Sequence, residues 1–169
     1  MKKITLTCLF LAAAAAANAQ SEATTFNLKS AEEHTGSHIK RNVGHDSRLP
    51  FDKPYNELTP EQQAIAKSNY ETMGPDDEPP YPVKGLAPLY RAASQAVSAR
   101  HEHGLLEMSV VVGADGEGKS VKVYQTPDQE TAKAVALALM HEKYKPALCK
   151  GQPCQQEFLL KANLSKQVQ

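Results

Sequence analysis

Three groups of residues in this 169-residue chain have side chains that could do chemistry. The first is Cys149 and Cys154, which flank Lys150-Gly151-Gln152-Pro153. Two thiols at this spacing can form a bridge across a turn, act as a redox pair, or supply half of a zinc site. The second is histidine: His34, His38 and His45 in one polar stretch, and His101 and His103 beside Arg100. Imidazole suits zinc, copper or nickel, but no cysteine lies near these histidines and their spacing matches no compact site. They are expected to be solvated, with no metal and no other cofactor. The third is the acidic run Asp76-Asp77-Glu78, which sits among prolines. Motifs for hydrolytic, zinc-dependent or nucleotide-binding chemistry do not occur. There is no Gly-x-Ser-x-Gly, no His-Glu-x-x-His and no phosphate loop opening a helix. The glycines from Gly113 to Gly118 join two strand-like runs, so they cannot offer a helix N-terminus to a phosphate. A binding role is therefore expected rather than an enzymatic one. A small redox or hydrolytic enzyme assembled from distant residues stays as a third reading.

The cysteines take their meaning from the leader. Met1-Lys2-Lys3 is a positive start, Ile4 to Ala17 is apolar, and Ala17-Asn18-Ala19 before Gln20 has the small-x-small form of a cleavage site. The apolar run is roughly 14 residues, short of the ~20 a spanning helix needs. Residues 1–19 thus read as a signal peptide cut between Ala19 and Gln20. The product is expected to be periplasmic or secreted, with no membrane span after cleavage. Cys149 and Cys154 would then be an even pair in an oxidising compartment, where a disulfide is the expected outcome. The whole chain has 19 basic and 19 acidic residues. No basic patch points to nucleic acid.

The elements that position these residues follow from local rules. Residues 20–57 are polar without sustained period and read as a flexible arm. Residues 58–80 read as a helix and a Pro-rich linker. Thr59 is the expected N-cap, Pro60 the first helical residue and Gln62 the capping-box partner, with the helix running to about Met73. Its apolar stripe is thin, so it should dock lightly or stay outside the core. Leu86, Leu89, Tyr90, Ala93 and Val97 mark one face of a second helix, spanning Leu86 to Glu102.

Residues 81–165 carry the densest pattern. Leu105 to Val112 is apolar and β-branched, and Asp115-Gly116 is a hairpin signal. Val121 and Val123 alternate with polar residues in the returning strand. Thr126-Pro127-Asp128-Gln129 reads as a second capping box with Thr126 as N-cap. Ala132, Val135, Ala136 and Leu139 form a helical stripe ended by Lys145-Pro146. Phe158, Leu160 and Ala162 alternate in a closing strand. The fold class is therefore α+β: a small antiparallel sheet, made of a hairpin plus a C-terminal strand, with helices on one face.

These residues resemble a known family. Tyr81-Pro82, strand-Ala-Asp-Gly-strand, an alanine-rich helix, Tyr144-Lys145-Pro146-Ala147, Lys150-Gly151-Gln152-Pro153 and a terminal strand together look like the C-terminal domain of TonB proteins. The likeness covers about half the chain, Tyr81 to Leu164. The Leu86–Glu102 helix is longer than the family's usual stretch at that point. The resemblance implies a Gram-negative envelope protein that binds an extended partner segment by strand addition. It implies the closing strand as the edge used, Gln155, Gln156, Glu157, Phe158, Leu159 and Leu160, with Tyr81 and Pro82 as nearby contacts. The partner implied is an envelope protein or an outer-membrane transporter peptide. A cleaved leader and the lack of a Pro-rich spacer make energy transduction by this chain itself unexpected. The alternative is a structural envelope subunit or a homodimer joined through the same edge.

Overall fold

A computed structural model describes residues 27–28, 48–99 and 103–164. The α+β class is observed. Strands β1 (Asn27–Leu28), β3 (Gly104–Val112), β4 (Gly118–Gln125) and β8 (Gln156–Leu164) form one sheet in the order β1-β4-β3-β8. Helices α2 (Ala87–Ser98) and α3 (Gln129–His141) pack on it, while α1 (Pro60–Ser68) precedes them. Two small ribbons complete the fold: β2 (Tyr81–Pro82) with β5 (Tyr144–Lys145), and β6 (Ala147–Cys149) with β7 (Gln152–Cys154).

The apolar run of β3 becomes the central strand. Antiparallel register sets Met108 opposite Val123 and Leu160, and Val110 opposite Val121 and Phe158. These side chains face the helices. Leu89 and Ala93 of α2 and Val135, Ala136 and Leu139 of α3 bury against them. The small residues Ala93 and Ala136 let the helices lie close to each other and to the sheet. The opposite face mixes polar residues with Val111 and Leu159. Its Glu107 and Ser109 are nevertheless buried. A Lys161–Glu107 pair at 3.4 Å, a Lys122–Glu157 pair at 3.1 Å and a Ser109–Tyr124 hydrogen bond at 3.2 Å satisfy polar groups there.

The Asp-Gly hairpin forms as expected, for a specific reason. Gly116 has φ +79°, and a Cβ there would meet the Tyr144 carbonyl oxygen at 2.3 Å. Only glycine allows both the turn and this approach. The approach is used: the Tyr144 N–H donates to the Gly116 carbonyl at 3.0 Å.

Helix ends depart from expectation. The capping box at Thr59 and Gln62 is present. However, α1 ends at Ser68, not near Met73. Asn69 closes it by donating to the Ala66 and Lys67 carbonyls, and Tyr70 leaves the helix and buries. At α3 the cap is Asp128, not Thr126, and the helix opens at Gln129. Extended Asp128 accepts hydrogen bonds from the Glu130 and Thr131 amides at 2.9 and 3.0 Å. Its carboxylate also suits the positive helix end. Thr126 instead donates its hydroxyl to the Asp128 carbonyl at 2.7 Å. The helix stops at His141, before Lys145-Pro146. Lys143 and Tyr144 are drawn off by bonds to Val83 and Gly116.

The described parts of the expected arm, and the linker, are built in. Leu49 and Tyr55, inside the arm predicted over 20–57, belong to the core, and Asn27–Leu28 pairs in parallel with Lys122–Val123. The proline stretch is packed rather than free. Glu78 and Leu148 exchange two backbone hydrogen bonds at 2.9 Å, and Pro79, Pro80 and Pro82 are fully buried. α1 itself touches the core through Ala66, with Ile65 packed alongside. The signal-peptide residues, the Ala19–Gln20 cleavage site, His34, His38, His45, Arg100 and His101 lie outside the described residues. No helix among the described residues is long and apolar enough to cross a membrane.

Cys149 and Cys154 are joined, with Cα atoms 5.8 Å apart. They sit on a hairpin of their own, β6–β7, before the closing strand. Two measurements test these local assignments. Asp128→Ala should cost about 1 kcal/mol of stability in urea unfolding, and Thr126→Ala measurably less. Reducing the disulfide should cost about 2 kcal/mol, the value for so short a loop, in the same assay with and without a thiol reductant.

Candidate sheet-edge site

The residues singled out from sequence for partner binding fall into three structural classes. Tyr81 and Pro82 are buried. They pair with Lys145 and Tyr144, and the Tyr81 ring stands edge-on to Phe158 at 6.4 Å. They support β8 from within and cannot serve as outer contacts. Phe158 and Leu160 are core side chains, and Gln156 is buried as well. Glu157 and Leu159 are half-buried, and Gln155 is exposed just before the strand.

The main chain separates these residues further. Across the hairpin turn the Gly113 N–H donates to the Glu117 carbonyl at 2.9 Å. Odd-numbered residues of β3 therefore turn their polar groups toward β4 and even-numbered ones toward β8. The irregularities in the β3–β4 register add residues on β4, while the β3–β8 register runs unbroken. Val110 lies opposite Phe158, so Phe158 and the other even-numbered residues of β8 bond to β3. Glu157, Leu159, Lys161 and Asn163 aim their N–H and C=O outward, away from β3. Among the described residues β8 ends the sheet on this side, whereas β1 lies beyond β4 on the other.

Two tyrosines reach this outer edge. Tyr70, just after α1, donates its hydroxyl to the Glu157 carbonyl at 2.7 Å. Tyr90, on α2, donates to the Lys161 carbonyl at 2.8 Å. Neither Tyr70 nor Lys161 stands out in the sequence as a site residue. Tyr90 does so only as a member of an apolar helical face. A long-range hydrogen bond from a side chain to a strand carbonyl leaves no periodic signal. Burial raises the Tyr70 and Tyr90 pKa values, with the Glu157 carboxylate adding to the effect at Tyr70. Both phenols therefore keep their protons and act as donors.

Beneath the edge sits a second polar hub. The Lys145 ammonium contacts Glu78 at 2.9 Å and the Pro79 and Pro146 carbonyls at 3.2 and 2.9 Å. It also lies 4.8 Å from the centre of the Tyr55 ring. Burial lowers its pKa while Glu78 opposes the shift. Nearby, Asp77 accepts bonds from the Lys150 and Gly74 amides, each at 2.7 Å, and these hold its pKa down. The acidic run thus has a structural use, docking the disulfide hairpin. Among the described residues no group of three or more His, Cys, Asp or Glu is placed to hold a metal ion.

Buried tyrosines surround the edge, and they predict an alkaline limit to stability. Burial pushes Tyr55 and Tyr81 up to about 12, and Tyr70, Tyr90 and Tyr144 also rise. A phenol that stays neutral in the fold favours the folded state most below the unfolded pKa of about 10. That contribution is lost as pH rises through the folded values. Lys145 works in the opposite sense, one group against five. The urea midpoint should fall between about pH 10 and 12, together with the rise of phenolate absorbance.

No protein-family model matches this chain and no curated protein does either.

Proposed function

We propose that this chain is a periplasmic interaction module that takes an extended segment of an envelope protein as an added strand along β8. The observation that carries the reading is the position of β8: nine residues long and last in the sheet among the described residues, with alternate main-chain groups turned outward. Strand addition uses such groups for affinity, and the alternating side chains set register. The resemblance to TonB C-terminal domains supports the same edge and a transporter peptide as partner. The roles found for other reactive side chains favour binding over catalysis. Cys149 and Cys154 are bonded to each other, Asp77 holds backbone amides, and Lys145 is taken up by Glu78 and two carbonyls.

Leu159→Pro tests the reading. The Leu159 N–H points outward, so proline there removes an edge donor without touching the β3 ladder. The probes are synthetic peptides copying the N-terminal periplasmic segments of outer-membrane transporters, titrated against the oxidised full chain. The parent chain should bind at least one of them. Leu159→Pro should keep its circular dichroism yet bind about tenfold more weakly, the effect of about 1.4 kcal/mol of lost edge bonding. Equal binding by both proteins would move the site away from β8. Absence of binding to every peptide would end the transporter reading.

A further inference from the structure

The two edge hydroxyls occupy the places where an incoming strand would put its amides. Tyr70 holds the Glu157 carbonyl and Tyr90 the Lys161 carbonyl, four residues apart, or roughly 13 Å along the strand. A new strand lies about 4.8 Å from its neighbour, so no strand can pair here while both phenols stay in place. The fold gives the two phenols separate supports. Tyr70 is 5% exposed. The Tyr90 ring is only partly buried and stands edge-on to Phe51 with centroids 4.9 Å apart.

The side chains along the same edge are self-complementary. Two β8 strands laid antiparallel about Leu159 put Leu159 against its own copy. Glu157 then falls opposite Lys161 of the second copy, and Lys161 opposite Glu157. All three residues turn their main-chain groups outward, so the pairing makes backbone hydrogen bonds at each. Opposite charges directly across an antiparallel pair are favourable. Within one copy Lys161 already meets Glu107, and Glu157 meets Lys122. Across the joint these pairs would link into an alternating series: Glu107, Lys161, then Glu157 and Lys122 of the second copy.

We propose that Tyr70 and Tyr90 hold the outer edge of β8 closed against a second copy of this chain, and that release of their hydroxyls lets two β8 strands pair antiparallel about Leu159. This uses the edge assigned above but needs no foreign partner, so it can stand or fall apart from the transporter reading.

The test is sedimentation velocity on the oxidised full chain over a wide concentration range. Wild type should stay monomeric where Tyr70→Phe/Tyr90→Phe associates, with the midpoint of association at about thirtyfold lower concentration or more, because two hydroxyl bonds in each copy, four per pair, no longer compete. Adding Leu159→Pro to the double variant should return it to monomer. Tyr90→Phe alone, at a less buried position, should shift association in the same direction by less, and it decides the matter if the double variant does not fold. A folded double variant as monomeric as wild type overturns the proposal. So does a wild type that associates equally tightly, or an association that survives Leu159→Pro.

Discussion

Burial of β3 on both faces is the constraint that the rest of the described structure answers to. Every side chain from Leu106 to Val112 is buried. An antiparallel strand usually keeps one face in water. Here the helix-facing half of the strand is satisfied cheaply, because a buried aliphatic side chain contributes roughly 1.5–3 kcal/mol. The other half carries Glu107 and Ser109, which need partners once water is removed. Lys161 comes from β8 to Glu107, and Tyr124 from β4 to Ser109. Lys122 on β4 and Glu157 on β8 meet across the central strand. Both neighbouring strands are thus tied to β3 by polar side chains as well as by main-chain bonds. A one-residue slip of either would exchange its core and polar faces.

The same demand reaches back along the chain. Phe158 sits on the helix-facing side near the start of β8. Tyr81 and Tyr144 close around it, at 6.4 and 5.8 Å between ring centres. Tyr55 lies tilted against Tyr81, with ring centres 5.9 Å apart. Lys145 lies against Tyr55 and collects the Pro79 and Pro146 carbonyls, which fastens the proline stretch to the end of the α3 segment. The described part of residues 48–82 is therefore one wall of the core. It brings Tyr55 and Tyr81 to the core beside Leu49, Leu58 and Ala66.

What could be read from sequence was whatever depends on local periodicity. The β-branched run of β3, the Asp115-Gly116 turn, the Ala132–Leu139 stripe and the Phe158–Leu160–Ala162 alternation each carry their own signal, and each forms. Cys149 and Cys154 were legible because their spacing and number restrict the pairing. Distant partners decided the rest. The α3 boundary is an example: Pro146 forbids helix beyond Lys145, but the Gly116 and Val83 contacts end it sooner. Thr126 and Asp128 are both good caps by type, and only the backbone conformation at Asp128 selects between them. Tyr70 ends α1 early because its ring belongs to the core and its hydroxyl to β8. Leu49 and Tyr55 stand alone in polar sequence, where no window reveals that Tyr81 lies beside one of them. At the edge site the strand was visible, but not which of its residues face out. That follows from hydrogen-bond phase, which is set at the hairpin turn and passed across β3.

A sheet that ends in a long strand has to dispose of the outward amides and carbonyls of that strand. Proteins commonly use charge, proline or a bulge. Here β8 contains no proline, and its partner register shows no bulge. Its charged side chains are turned to pairs on the polar face. The outer edge is instead met by phenols delivered from two different segments. This solution has a property the others lack. A proline or a bulge alters the strand permanently, whereas a hydroxyl leaves a carbonyl intact and ready to accept another donor. The main chain of β8 stays a regular strand under its cover. Whether the added strand comes from a foreign segment or from another copy, the competition is the same: one N–H exchanged for one O–H at Glu157, and another at Lys161. The affinity of this edge for any strand is then set as much by how firmly α2 and the turn after α1 hold Tyr90 and Tyr70 as by the sequence of what arrives.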